Sequence, residues 1–359
     1  MANINIAYQR LLNQRLIANP FEKPEDVVRW FGAVQAQDFL GSLWALGLRM
    51  HEATEECVEQ AVIDRKIVRS WPLRGTLHYA AAEDIHWMVA LVGPRTIERA
   101  ASRYRQLGLD EETLMRSSDV IVKALQTSKQ LTRPKIKETL EEAGIATDGQ
   151  RLIHMLGHAA LQGLTCYASR DGKQFTFALL EEWAPPTQSL ERDESLAVLA
   201  RRYFTSHGPA TVQDYIWWTG LTAADARAGH EMVKPELNEV VIDGTSNWFA
   251  GDIPAAFDMP ETAYLLPPFD EYLVSYKDRT AVLDPAYADR LSALLSPTIL
   301  FAGRVIGTWK RTLKKDSVVV AAKAFTAFTD VQRDAVEDAA QRYGEFLGLP
   351  ITFSVSDGD

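Results

Sequence analysis

The chain has 359 residues, 47% of them hydrophobic and 24% charged, which excludes wholesale disorder or collagen-like structure and supplies enough apolar sequence for a core without staples. Two cysteines, Cys57 and Cys166, form no Cys-x-x-Cys or Cys/His ligand spacing, so neither a disulfide framework nor a zinc finger is expected. The net charge of −10 argues against nucleic acid when taken whole, yet residues 300–323 carry six cations and one anion while 324–359 carry two cations and seven anions. The sum therefore does not exclude a basic groove on an acidic body. Residues 1–10 contain no apolar h-region, and the longest stretch without a formal charge, 152–169, is too polar for a membrane span. The expected compartment is the cytoplasm, with no membrane partner.

Along the chain the periodicity predicts helices over 6–17 and 24–34, with Pro24 in a first-turn position where its missing N–H costs nothing. A helix over 54–64 comes next, then strands over 67–71 and 76–80 around Pro72-Leu73-Arg74-Gly75. Further helices are expected over 83–91 and 94–107, and another from Asp110. The pattern then recurs: a helix from Thr132 to Glu142, another over 150–162, and strands over 164–168 and 174–178 around Asp171-Gly172, where a two-residue hairpin needs positive φ. After the linker Ala184-Pro185-Pro186-Thr187 it occurs once more, with helices over 212–218 and 223–233 and strands over 240–243 and 247–249 around Gly244. Helices closed by a hairpin are the winged-helix arrangement. The expected fold class is α+β, with three tandem winged helix-turn-helix units: 1–82; 83–183, which includes connecting helices; and 188–259. Residues 260–359 change texture, with strands over 264–266, 271–276, 298–302, 305–310, 318–325 and 351–355 and a helix over 330–347, which suggests a small antiparallel sheet or barrel.

The common catalytic signatures are missing, including GxSxG, HExxH, Walker A and a suitably placed GxGxxG. His154 and His158 have metal-ligand spacing but no third ligand, and a packed helix explains them better, so neither metal nor cofactor is expected. The triplet Gln35-Ala36-Gln37 is more unusual. On a helix, positions i and i+2 point about 200° apart; in an extended chain they share a face. If both amides act on one ligand, the chain must have left its helix by Gln35. Taken on pattern alone, a pair of solvent-facing amides is the simpler account.

The first hairpin crowds Arg69, Trp71, Arg74, Thr76 and His78 into ten residues. Arginine suits phosphate through bidentate bonds and an aromatic ring can stack on a base, although a wing with a core tryptophan and ion-paired arginines would read the same way. Arg95, Arg99 and Arg103 form a row on one helix, a pattern that usually marks a solvated face. The run from Gly303 to Arg311, with Arg304, Lys310 and Arg311, is the next candidate for phosphate contact. Trp217-Trp218 reads as core.

These segments together resemble the winged-helix DNA glycosylase family typified by AlkZ and YcaQ, over nearly the whole chain. The resemblance rests on Val34-Gln35-Ala36-Gln37, on Arg69–His78, on Gly208-Pro209-Ala210-Thr211 leading to Trp217-Trp218-Thr219-Gly220-Leu221, on Leu265-Leu266-Pro267-Pro268-Phe269-Asp270-Glu271-Tyr272 with Tyr276-Lys277-Asp278-Arg279, and on Gly303–Arg311. It implies three winged helices and a C-terminal β-barrel around a DNA-sized cleft. It implies monofunctional excision of N7-alkylated purines, including unhooking of interstrand crosslinks. It makes Gln35 and Gln37 the catalytic pair of the glutamine–aliphatic–glutamine branch; Asp38, one step on, would face away. The DNA-binding set is then Arg69, Trp71, Arg74, Thr76, His78, Arg95, Arg99, Arg279, Arg304, Lys310 and Arg311, and the expected partner is double-stranded DNA carrying alkylated purines or crosslinks, bound by a monomer. Two other classes compete: a non-catalytic winged-helix regulator, which predicts tight sequence-selective binding without abasic product, and a module for a small molecule or protein, which predicts weak DNA affinity insensitive to salt.

Overall fold

Pro24 starts a helix, Pro24–Phe31, that ends at Gly32 with φ +84°, a conformation a side chain rarely adopts. Because of that stop the chain leaves the helix three residues before Gln35 and enters a short strand, Val34–Gln35. The computed structural model describes residues 5–18, 20–187, 189–252, 258–291 and 296–356. Gln188, where the third unit was expected to begin, and the first four residues lie outside that range.

The first hairpin is Ile67–Leu73 with Thr76–Ala81, turned by Arg74 and Gly75 at φ +54° and +73°. Both central residues in the left-handed region give the turn whose twist matches a hairpin. The second is Thr165–Asp171 with Gln174–Leu179; Asp171 is still paired in the strand and Gly172 takes the positive φ of +58°. These two hairpins do not stand apart. They join through Arg69 opposite Tyr167, and with Val34–Gln35 and Leu131–Thr132 at the ends they make one six-stranded antiparallel sheet. The third hairpin, Asn238–Ile242 with Thr245–Phe249, stays separate and turns at Asp243 and Gly244, both with positive φ.

Three expectations need correction. The helices expected over 83–91 and 94–107 are one, Ile85–Gln106, which runs through Pro94. A proline removes a single ladder bond. The helix is held there by close packing, since a Cβ on Gly93 would lie 2.2 Å from the carbonyl of Leu161. The strand expected over 271–276 is a short helix, Glu271–Val274, because Asp270 caps it by accepting the N–H of Tyr272 at 2.9 Å.

The third correction concerns the barrel. Among the described residues the C-terminal sheet is open, in the order Ile351–Ser356, Val318–Ala324, Arg304–Leu313, Thr298–Phe301 and Ala263–Leu266. Its first pair is parallel, so the connection between them must cross over, and the helix Asp330–Leu347 provides it. The inward face of that helix, with Val336, Ala340, Tyr343 and Phe346, lies against the sheet. The space a barrel would close around is thus filled from one side.

That sheet does not form its own core. Leu11, Phe31 and Trp44 from the start of the chain share one apolar cluster with Leu265, Trp309 and Phe346 from its end. The indole N–H groups of Trp44 and Trp309 donate to the carbonyls of Leu265 and Leu266 at 2.7 and 2.8 Å. The two ends of the chain are therefore sewn together, which brings Glu271 against Gln35. Among the described residues no helix is long and apolar enough to cross a membrane.

Candidate active site

Gln35 sits opposite His78 at the edge of the six-stranded sheet. The next N–H, on Ala36, donates to Leu77 at 2.7 Å, and Ala36 is fully buried. Gln35 is the last residue of that short strand, and Gln37 lies in the bend that follows it. Gln37 is exposed and Gln35 is almost buried.

Both amides are oriented by donors. Arg74 Nη2 donates to Gln35 Oε1 at 2.8 Å, and the N–H of Leu77 donates to Gln37 Oε1 at 3.2 Å. Neither partner can accept, so each amide has its carbonyl oxygen against the protein and its NH₂ directed elsewhere. Each carbonyl keeps one lone pair. The pair thus offers N–H donors and a limited acceptor capacity, suited to holding a water rather than to removing its proton.

Arg74 also donates to the carbonyl of Trp218 at 2.6 Å and lies 3.4 Å from His78 Nε2. His78 is fully buried and its Nδ1 faces the carbonyl of Thr76 at 2.9 Å, so Nδ1 carries the hydrogen and Nε2 presents a lone pair to Arg74. Burial, reinforced by the Arg74 charge, pushes His78 down to about 3, so the ring is neutral.

Behind the strand lies Glu271, 1% exposed. Its Oε1 accepts the N–H of Gln35 at 2.7 Å; its Oε2 accepts from Trp218 Nε1 at 2.9 Å and from the Ser275 hydroxyl, with His207 Nε2 at 3.4 Å. Burial would raise this carboxyl, but its hydrogen bond with His207 and the nearby Arg74 charge hold it down to about 2. Asp270, the preceding residue, makes a fully buried bidentate pair with Arg49 at 2.9 Å for each bond.

Of the expected DNA contacts, Arg69, Trp71 and His78 are buried, and Thr76, Arg279 and Arg311 are half-buried. Arg69 is 4% exposed and donates from Nε and Nη2 to the carbonyl of Ala36 at 3.1 and 2.9 Å, with its guanidinium 4.7 Å from the rings of Tyr167 and Phe175. It holds the triplet's backbone. Trp71 is buried and stacked on Tyr167, with 5.3 Å between centroids. His78, being fully buried, cannot meet DNA either. Arg311 is paired with Asp38 at 3.0 Å. Arg279 is half-buried and donates to the carbonyl of Leu273 at 2.8 Å. Thr76 is half-buried at the turn, its hydroxyl 3.4 Å from the carbonyl of Leu73.

Three others come together. Arg95 donates to the carbonyl of Gly220 at 3.2 Å, and a Cβ on Gly220 would meet Arg74 Cγ at 3.2 Å and Arg99 Nη1 at 3.5 Å. Arginines from the first hairpin and the long helix thus gather around one turn beside Gln35, and Arg99 is exposed there. Arg304 and Lys310 are exposed on the C-terminal sheet. His154 and His158 both set their rings edge-on to Tyr104, and among the described residues no group of three or more His, Cys, Asp or Glu could hold a metal.

The model of the AlkZ-like DNA glycosylase family matches residues 28–346, a span containing the triplet, the arginine turn and Glu271. The chain belongs to the AlkZ-like DNA glycosylase family. Among curated proteins it is similar to an interstrand DNA cross-link repair glycosylase of Streptomyces sahachiroi, 26% identical over 94% of each chain. Among solved structures it is similar to Streptomyces sahachiroi DNA glycosylase AlkZ, with a TM-score of 0.78 at 22% identity, covering 97% of this chain and 98% of that one. The second likeness concerns the fold. The enzyme is a DNA glycosylase.

Within this glycosylase the residue that site reasoning from sequence misses is Glu271. It stands in the Pro-Pro-Phe-Asp-Glu-Tyr segment, whose two adjacent acids inside an apolar run are the signal that could have found it. A buried acid in such a run needs several donors.

Proposed function

We propose that the enzyme is a monofunctional glycosylase that hydrolyses the N-glycosidic bond of N7-alkylated purines in double-stranded DNA, unhooks interstrand crosslinks, and acts as a monomer without cofactor. The observation that carries this reading is the pair of glutamine amides two residues apart at the end of one edge strand, each with its carbonyl anchored and its NH₂ free of protein partners among the described residues. The likeness to an interstrand DNA cross-link repair glycosylase of Streptomyces sahachiroi supports the crosslink as substrate.

N7-alkylation leaves the purine cationic, so it departs without a general acid. As the C1′–N9 bond breaks, its electron pair goes to the base, which leaves neutral, and C1′ develops oxocarbenium character. Water adds at C1′ and its proton passes to solvent. Gln35 and Gln37 orient that water; positioning and fixed dipoles lower the barrier without a strong base. An unactivated nucleoside would be too stable for so weak a site, and selectivity comes from the lability of the substrate. A crosslinked base stays bonded to the opposite strand and cannot be flipped fully into a closed pocket, and Gln37 is on the surface. Phosphate contact falls to Arg99, Arg304 and Lys310, the exposed members of the basic set.

The test is base release from three duplexes: unmodified, carrying 7-methylguanine, and crosslinked through N7. The expected result is free base and an alkali-labile abasic site from the second, separation of the strands of the third, and no product from the first. Failure to act on either modified duplex, with tight binding to all three, would favour a non-catalytic DNA-binding protein.

A further inference from the structure

We propose that Glu271 is a positioning residue of the excision site, standing in for the missing neighbour of the edge strand that carries Gln35. This role rests on the assignment of Gln35 to the reaction. Among the described residues Val34–Gln35 has a partner strand on one side only. The N–H of Ala36 points to that partner, Leu77, and the N–H of Gln35 points the other way, where among the described residues no strand lies. Glu271 Oε1 fills that place from a residue 236 positions along the chain.

The other oxygen ties this anchor to the third helical unit. Trp218, Ser275 and His207 all address Oε2. Trp218 is also the residue whose carbonyl accepts from Arg74, and Arg74 is the donor that orients the Gln35 amide. The backbone and side chain of Gln35 are therefore fixed by one closed circuit, Gln35–Glu271–Trp218–Arg74–Gln35. A packed apolar side chain can replace a buried ion in a merely structural role. It could not accept the Gln35 N–H, and the amide would lose its aim.

The circuit also has a charge. Arg74 places a cation against Gln35 in a reaction that develops positive charge, and the buried carboxylate on the other side of the strand offsets it. Glu271→Gln keeps the shape and removes that charge.

The experiment measures single-turnover release of 7-methylguanine at saturating enzyme, together with duplex Kd, for wild type, Glu271→Gln, Ser275→Ala, Gln35→Ala and the Glu271→Gln/Gln35→Ala double variant. The expected result is a loss of about tenfold in rate for Glu271→Gln, with Kd within about twofold of wild type, as for a charge-assisted bond acting only on the chemical step. Ser275→Ala, a smaller change should the first variant fold poorly, is expected to lose about two- to fivefold. Glu271→Gln should add nothing to Gln35→Ala, because it acts through it. A folded Glu271→Gln or Ser275→Ala at wild-type rate while Gln35→Ala is slow overturns the positioning role alone, as does a fully additive double variant or a loss seen only in Kd. Loss of the folded state in both variants assigns the carboxylate to stability and also overturns it. Gln35→Ala at wild-type rate overturns the reading of the triplet, and the role of Glu271 with it.

Discussion

Arg69 carries the clearest lesson at the scale of single residues, because its type suggests a phosphate ligand and its surroundings make it a strut. Two bonds to the Ala36 carbonyl and two aromatic faces hold a guanidinium that solvent barely touches. Arg69→Ala should destabilise the fold by about 3 kcal/mol, through an orphaned carbonyl and lost ring contacts, as read by urea unfolding. The pH dependence of stability comes from two depressed groups. His78 falls from 6.5 to about 3 and Glu271 from 4.5 to about 2, so in each case the unfolded chain takes up its proton first as pH falls. Their contributions are complete above the unfolded values and are lost on acidification, between 6.5 and about 3 for His78 and between 4.5 and about 2 for Glu271. His207 is also lowered by burial and acts in the same direction. Between pH 6 and pH 5, His78→Gln should flatten the slope of unfolding free energy by roughly 1.4 kcal/mol per pH unit, one proton's worth. Sequence carries the helix to residue 34, whereas Gly32 stops it after Phe31 and frees Gln35 for a strand. The partners of Glu271 are not, because all but Ser275 lie more than 50 residues away.

Among the elements, the turn at Gly220 shows how backbone geometry serves the site. It closes the helix Val212–Thr219 at φ +73° and lets Arg74, Arg95 and Arg99 approach one carbonyl turn. Gly220→Ala is expected to cost more than about 1 kcal/mol from the left-handed conformation alone. Its new methyl would meet Arg74 at 3.2 Å, so excision should fall with it. Thermal unfolding and the single-turnover rate check the two parts separately. The hairpins are legible because Gly75 and Gly244 stand between two strand patterns and both take positive φ. The short helix Glu271–Val274 is not, since four residues offer no period to read and the cap at Asp270 decides the matter. The merger of two hairpins into one sheet depends on a pairing of Arg69 with Tyr167, nearly 100 residues apart, which local pattern cannot show.

For the whole molecule, an acidic protein must bind a polyanion, and its distribution of charge has to outweigh the sum of −10. Lys310→Ala and Arg304→Ala should each reduce the slope of log Kd against log salt by about 0.9, the signature of one lost phosphate contact. Arg69→Ala, read at matched folded fraction, should leave that slope unchanged. The joining of both chain ends in one core brings the triplet, near the start of the chain, against its anchor Glu271, 236 residues on. The sequence shows most strands of that last region but neither their order nor the helix at Glu271–Val274, nor that among the described residues the sheet stays open.

The most direct measurement is the single-turnover rate of 7-methylguanine release by wild type, Gln35→Ala, Gln37→Ala and the double variant, at enzyme concentrations that saturate the duplex. Each single variant should lose about tenfold or more, the double should lose little beyond the worse single, and duplex affinity should stay within about twofold, as expected for two amides acting on one water. Wild-type rates from both single variants and the double, with the fold intact, would contradict the assignment of the chemistry to this triplet.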